Sequence, residues 1–206
     1  MKAGLRKLTL TAHIVLSVGW LGAVVAYLTL AIVGLTSDDL ELARAAYLSM
    51  HVLGRDVIVP FSLATVAAGL VESLGTGWGL FRYWWVSAKF LLTTVATVIL
   101  LQHMTVVARA ADAARRMTLF APDSKMLRIQ LIVHAAGGLI VLLAATVLSV
   151  YRPWGMTPYG VRMQQERRTV AATEASQRSE LSQAAPGPQA SAPSWTYIVG
   201  FHAIAL

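Results

Sequence analysis

Residues 8–36 read LTLTAHIVLSVGWLGAVVAYLTLAIVGLT, a run with no acidic or basic side chain and one histidine, His13. About 20 apolar residues suffice to cross a bilayer as a helix. The run continues too far to be the apolar core of a signal peptide, although Met1–Lys7 is basic as such a leader would be. It predicts a retained membrane helix. Three further apolar segments follow, Ala46–Val71, Tyr83–Val107 and Leu127–Tyr151, and each again carries one histidine: His51, His103 and His134. An ionisable group in such a segment is costly in lipid, so it is expected to face the bundle interior.

Composition agrees. Hydrophobic residues make up 56% of the 206 and charged residues 13%, against about 25% charged in a typical soluble domain. The mean hydropathy is +0.61. The net charge of +7 does not point to nucleic acid. The cations sit in short loops beside the apolar segments, where lipid headgroups and the positive-inside bias account for them. The absence of cysteine excludes disulfides, thiolate metal sites and covalent haem attachment.

The predicted architecture is all-α: a transmembrane four-helix bundle with extended helix ends and a disordered C-terminal tail. Helix 1 is expected over Leu8–Val33. Asp38-x-x-Glu41 has the spacing of a capping box, which would start helix 2 near Asp38 and carry it to about Glu72, with a kink at Pro60. Gly75-Thr-Gly-Trp-Gly79 predicts a turn, and Trp78, Tyr83, Trp84 and Trp85 an interfacial aromatic belt. Helix 3 is expected over Phe81–Arg116 and helix 4 over Lys125–Tyr151, with Pro153 ending it. Residues 1–160 form the predicted membrane domain. Residues 161–206 are rich in Ala, Ser, Gln and Pro after Arg168, cannot bury a core, and are predicted to be a mostly disordered tail with a short apolar end.

Antiparallel threading divides the polar residues between two faces. Side A, which holds the N-terminus, collects Lys2, Arg6, Lys7, Arg82, Arg152, Arg162, Arg167 and Arg168; side B collects Arg44, Arg109, Arg115, Arg116, Lys125 and Arg128. This bias favours side A as the cytoplasmic face, with both termini cytoplasmic. His13 and Lys89 fall near side A. His51, Arg55, His103 and His134 fall near side B. At 1.5 Å per residue, Lys89 and His103 lie roughly 21 Å apart along their helix.

Helical spacing then predicts an inward stripe on every helix. These are His13, Ser17, Trp20 and Tyr27; His51, Arg55, Ser62, Thr65, Gly69 and Glu72; Lys89, Thr93, Ala96 and His103; and Gln130, His134, Gly137, Gly138 and Val141. Imidazole is a ligand for haem iron and other transition metals. The candidate cofactor-binding residues are therefore His13, Lys89, His51, His103, His134 and Arg55, with His13 and His134 as candidate metal ligands and haem b as the candidate cofactor. Two other classes stay open: a non-catalytic scaffold or accessory subunit in which the histidines join helices, and a metal or small-ion transporter. The expected partners are the lipid bilayer and other membrane subunits or a second copy of the chain. No nucleophile, acid or base is assigned, and whether the chain is an enzyme stays open.

Some of these residues carry a resemblance. Thr11-Ala-His13-Ile-Val-Leu-Ser-Val-Gly-Trp20-Leu-Gly22 resembles the first helix of a group of small bacterial membrane proteins that includes the copper-resistance D-type proteins and the membrane-bound protoporphyrinogen oxidases. Trp85-Val-Ser-Ala-Lys89-Phe-Leu-Leu, followed by His103, is similar to their third helix. More closely, Ile58-Val-Pro60, Gly75-Thr-Gly-Trp78-Gly79-Leu-Phe-Arg82 and Val133-His134-Ala-Ala-Gly137 resemble an uncharacterised four-helix integral membrane family, over about Leu8 to Gly160. The broader resemblance implies that His13 and Lys89 correspond to the oxidases' haem-linked helix-1 histidine and helix-3 lysine. The chain departs from that pattern late in helix 1, where Ala23-Val-Val-Ala-Tyr27-Leu lacks the oxidases' arginine. Porphyrinogen oxidation is therefore not implied. Neither is copper transport, because the seven methionines are scattered.

Overall fold

A computed structural model of the chain describes residues 3–75, 79–118, 121, 124–152 and 155–184. The expected Pro153 helix stop, Trp78 of the aromatic belt and the short apolar end lie outside the described residues. Among those described, the chain is helical: α1 (Ala3–Thr36), α2 (Leu40–Leu53), a π-turn (Gly54–Ile58), α3 (Val59–Gly75), α4 (Trp84–Arg115), α5 (Lys125–Tyr151) and α6 (Pro158–Ala184). α2, the π-turn and α3 run as one rod, Leu40–Gly75. That rod, α1, α4 and α5 are each long and apolar enough to cross a membrane.

The four spans form an all-α bundle. α1 packs on the second span and on α5, and α4 packs on the same two neighbours. Only 22–28% of each span's most apolar window is buried. The remaining Leu, Val and Ile side chains, such as Leu8, Val18, Leu74, Ile140 and Val150, point outward. An exterior this apolar is matched by lipid, so this is a multi-pass integral membrane protein. Lipid tails are as apolar as leucine, so close packing rather than water exclusion holds such helices together. The core accordingly mixes a few large groups (Trp20, Tyr27, Tyr47, Met50) with alanines that let backbones approach, including Ala31, Ala110 and Ala114.

The Thr65 and Tyr27 hydroxyls have no partner among the described residues, whereas several other buried hydroxyls are satisfied locally. Ser62 donates to the Val59 carbonyl at 2.8 Å, Ser73 to Leu70 at 2.9 Å, and Thr97 to Thr93 at 2.9 Å. Each therefore sits in the bundle without needing a partner on another helix.

Two helix starts differ from the sequence expectation. The second span is capped by Asp39, not Asp38. The Asp39 carboxylate accepts from the backbone N–H of Glu41 at 2.9 Å and of Leu42 at 3.3 Å. Glu41 then stands one residue too early to close a capping box and pairs instead with Arg44 at 3.4 Å. α4 starts at Trp84 rather than Phe81, because Phe81–Tyr83 are engaged by the segment after α5. The Thr157 hydroxyl donates to the Phe81 carbonyl at 2.6 Å, the Thr157 N–H donates to Arg82 at 3.0 Å, and Tyr83 pairs with Met156. Gly79, the last residue of the predicted turn, sits at φ +59°, a region that favours glycine, and its carbonyl accepts from the Arg82 N–H; residues 76–78 of that turn lie outside the described residues.

The π-turn is the main departure within the bundle. Pro60 has no N–H to donate to the carbonyl four residues back, and its ring crowds that carbonyl. The chain widens instead: the Val59 N–H reaches back five residues to Gly54. The extra residue shifts the register, at about 100° per residue. The buried stripe of the second span is consequently Tyr47, Met50, Gly54, Ile58, Ser62 and Thr65. His51 and Arg55, expected on one face with Ser62 and Thr65, stand one residue to the side of it. His51 is half-buried, and Arg55 is exposed.

Residues up to Val161 belong to one compact unit and residues from Arg162 to another. The second differs from the expected disorder up to Ala184, because α6 continues through it. Ala, Gln, Glu and Arg are strong helix formers, and composition alone weighed their lack of a core more heavily. From Glu166 on, every described residue of α6 is exposed.

Candidate functional site

The inward polar residues gather in two cavities, one toward side A and one nearer the middle of the bundle, on its side-B half. Toward side A lies a cavity of about 590 Å³ whose walls include Arg6, His13, Thr65, Glu72, Lys89 and Arg152. α1 supplies His13 from mid-turn, where the residue is 8% exposed. Gly69 of α3 lies against the imidazole: a Cβ there would stand 3.3 Å from His13 Cε1. His13 Nδ1 is buried and has no hydrogen-bond partner among the described residues. Lys89 lies within electrostatic reach of both His13 and Glu72. At the mouth, the Arg152 guanidinium stands 5.4 Å from the centre of the Trp85 ring, a cation–π arrangement that holds a charge at the membrane surface. Three cations against one carboxylate make the wall net positive.

Toward side B lies a narrower slot of about 330 Å³, lined almost wholly by carbon. Its polar groups are few. The imidazoles of His103 from α4 and His134 from α5 lie face to face, centroids 4.1 Å apart and planes within 7°. His134 Nδ1 is 2.9 Å from the Gln130 carbonyl. It must donate there, which leaves Nε2 as the acceptor. His103 is 7% exposed, and neither of its ring nitrogens has a partner among the described residues. Tyr27 also lines the slot, buried, with its hydroxyl equally unpartnered. A buried polar group left unpaired costs about 1–3 kcal/mol. Gly137 and Gly138 form part of the wall, and a Cβ on either would meet nothing within 4 Å.

Of the six sequence-predicted site residues, His13 and Lys89 share the side-A cavity, and His103 and His134 share the slot. His51 and Arg55 line neither cavity. Arg55 stands 4.0 Å from Asp56, both side chains well exposed, an arrangement of the kind that contributes little. His13 and His134 lie in different cavities, and among the described residues no three His, Asp, Glu or Cys side chains come together as a metal site. The face-to-face stack of His103 and His134 leaves no room for a porphyrin between the two rings.

Sequence reading missed Arg6 and Arg152 as wall residues, counting them only as surface charge. Their positions at helix ends, next to the side-A layer, were the available signal. It also missed Tyr27 as a slot residue, although its stripe contained it. Compared with family models, curated proteins and solved structures, the chain matches none of them.

Proposed function

We propose that this membrane protein binds b-type haem in the side-A cavity and serves as a redox-associated subunit of the bacterial cytoplasmic membrane, with side A and both chain ends facing the cytoplasm. The observation that carries the reading is His13: a buried imidazole with an unpaired ring nitrogen, on the wall of a cavity large enough for a sizeable ligand and lined by cations. Imidazole nitrogen ligates haem iron. Arg6, Lys89 and Arg152 supply positive charge for two propionates. Glu72 and Lys89 sit close enough to offset one another. The resemblance of the helix-1 and helix-3 motifs to haem-associated membrane proteins points to the same two residues, His13 and Lys89.

In this reading haem supplies one-electron exchange. The chain's own part is to orient the group and set its potential. His13 would hold the iron through a ring nitrogen, and Gly69, close against the imidazole, would keep its ring in place. Lys89 would hold a propionate by charge or, if deprotonated, would supply a second nitrogen ligand. The exposed apolar surface excludes water from the flanks of the site by sitting in lipid.

The deciding experiment is the visible spectrum of the detergent-purified protein, oxidised and dithionite-reduced, after expression with ample haem. A Soret band with sharp reduced α and β bands that disappears in His13→Ala is expected. A colourless wild-type protein, or a spectrum indifferent to His13→Ala, defeats the proposal. The stacked His103–His134 pair favours one other reading, a scaffold or accessory subunit in which imidazoles join α4 to α5. A colourless but well-folded protein would support it.

A further inference from the structure

We propose that the side-B slot is a binding site for the headgroup of a lipid-soluble quinone. The proposal rests on a different cavity from the haem reading and stands without it. Three features of the slot converge. First, it reaches lipid: Gly137 is exposed on the outer surface, and its neighbours on the wall, Ile99 of α4 and Val133 of α5, are about half exposed. The missing side chains of Gly137 and Gly138 leave open space between α4 and α5, so a planar ring can enter sideways while its isoprenoid tail stays among the acyl chains. Second, the wall is apolar and aromatic, with Trp20, Met104 and Leu142 among its members, and it carries no Lys, Arg, Asp or Glu. An anionic lipid headgroup or a carboxylic acid would find no counter-charge there.

Third, the slot holds hydrogen-bond donors that lack acceptors. His103 and Tyr27 are each more than nine-tenths buried, both line the slot, and neither the His103 ring nitrogens nor the Tyr27 hydroxyl has a partner among the described residues. A quinone ring presents two carbonyl oxygens, each purely an acceptor, which a histidine N–H and a phenol O–H satisfy. A hydrocarbon chain would leave both donors stranded. The stack on His134, itself fixed by its bond to the Gln130 carbonyl, holds the His103 ring in one plane. The volume of about 330 Å³ is within the ordinary range for small-ligand sites and admits a headgroup without its tail.

The test uses full-length protein in lipid nanodiscs titrated with decylubiquinone, read by quenching of Trp20 fluorescence, with Trp20→Phe to identify that component. Saturable quenching is expected. The apparent affinity should fall at least tenfold in Gly138→Leu, which fills the slot, and several-fold in both His103→Leu and Tyr27→Phe. His13→Ala should bind as wild type, which separates this site from the haem proposal. The same tail without a headgroup should not compete. Non-saturable quenching of the wild type overturns the proposal. So does undiminished affinity in His103→Leu and Tyr27→Phe, or equal competition by the headless tail. The two polar variants keep the test decisive if Gly138→Leu fails to fold.

Discussion

The two cavities solve opposite problems with the same raw material. Both are built from histidines facing inward on membrane helices. The side-A cavity surrounds one imidazole with charge: Lys89, Arg6, Arg152 and Glu72 share its wall, near the surface where water and headgroups can screen them. The side-B slot surrounds two imidazoles with carbon; they stack on each other, and only His134 has a hydrogen-bond partner among the described residues, the Gln130 carbonyl. Depth accounts for the difference in partners, since cations on long side chains can rest near a membrane surface at modest cost and cannot do so deeper. In the two proposals, the histidine of the charged cavity takes a ligand with charge of its own and the histidine of the carbon-lined slot a neutral one.

The sharpest way to break this contrast is to remove one histidine from each site. His13→Ala is expected to abolish haem absorbance, a loss of more than about tenfold in Soret intensity per protein, whereas His134→Ala should leave at least most of it, because losing a ligand to the iron costs far more affinity than a distant repacking. Equal losses from the two variants would mean that the cavities are not separate sites.

Next in size is the closure of side A. Thr157→Ala deletes the hydroxyl that bonds Phe81 and accepts from the Gly160 N–H at 3.0 Å. A loss of about 1–3 kcal/mol is expected, read as a lower thermal midpoint in detergent, together with weaker haem retention. Unchanged stability would show that the loop does not brace the cavity.

A smaller effect of the opposite sign is expected at side B. His103→Leu replaces a buried imidazole lacking partners with carbon of similar size. Stability of the ligand-free protein should hold or rise, by up to about 1 kcal/mol. A large fall would mean that the stack itself contributes more than the unpaired nitrogens cost. The smallest change is Arg55→Ala, on an exposed pair at 4.0 Å, where a shift within about 0.5 kcal/mol and no change in absorbance are expected. A clear loss of absorbance there would restore Arg55 to the site.

Much of this arrangement was legible beforehand. Lys125–Tyr151 was bounded to the residue, because a strong apolar run between a charged start and a proline leaves little freedom. Two-layer placement of His13 with Lys89 and of His103 with His134 followed from antiparallel threading alone. What sequence could not supply was the local response to Pro60. A proline announces that the helix must yield, but whether by a bend or by a widened turn depends on packing against neighbouring helices. That single ambiguity misplaced His51 and Arg55. The imidazole stack was equally hidden, since spacing gives a residue's face on its own helix but not its height against the next one.

The widened turn at Gly54–Ile58 works as an angular offset between the two halves of one rod. Deleting a single residue such as Val57 would take away the spare unit and leave the rod's length and oiliness almost untouched. Yet everything downstream would swing by about 100°, carrying Thr65, Gly69 and Glu72 away from His13. Such a chain would still insert into a membrane and would have lost its larger chamber. Insertion thus reads how greasy the segment is, whereas the chamber reads its phase.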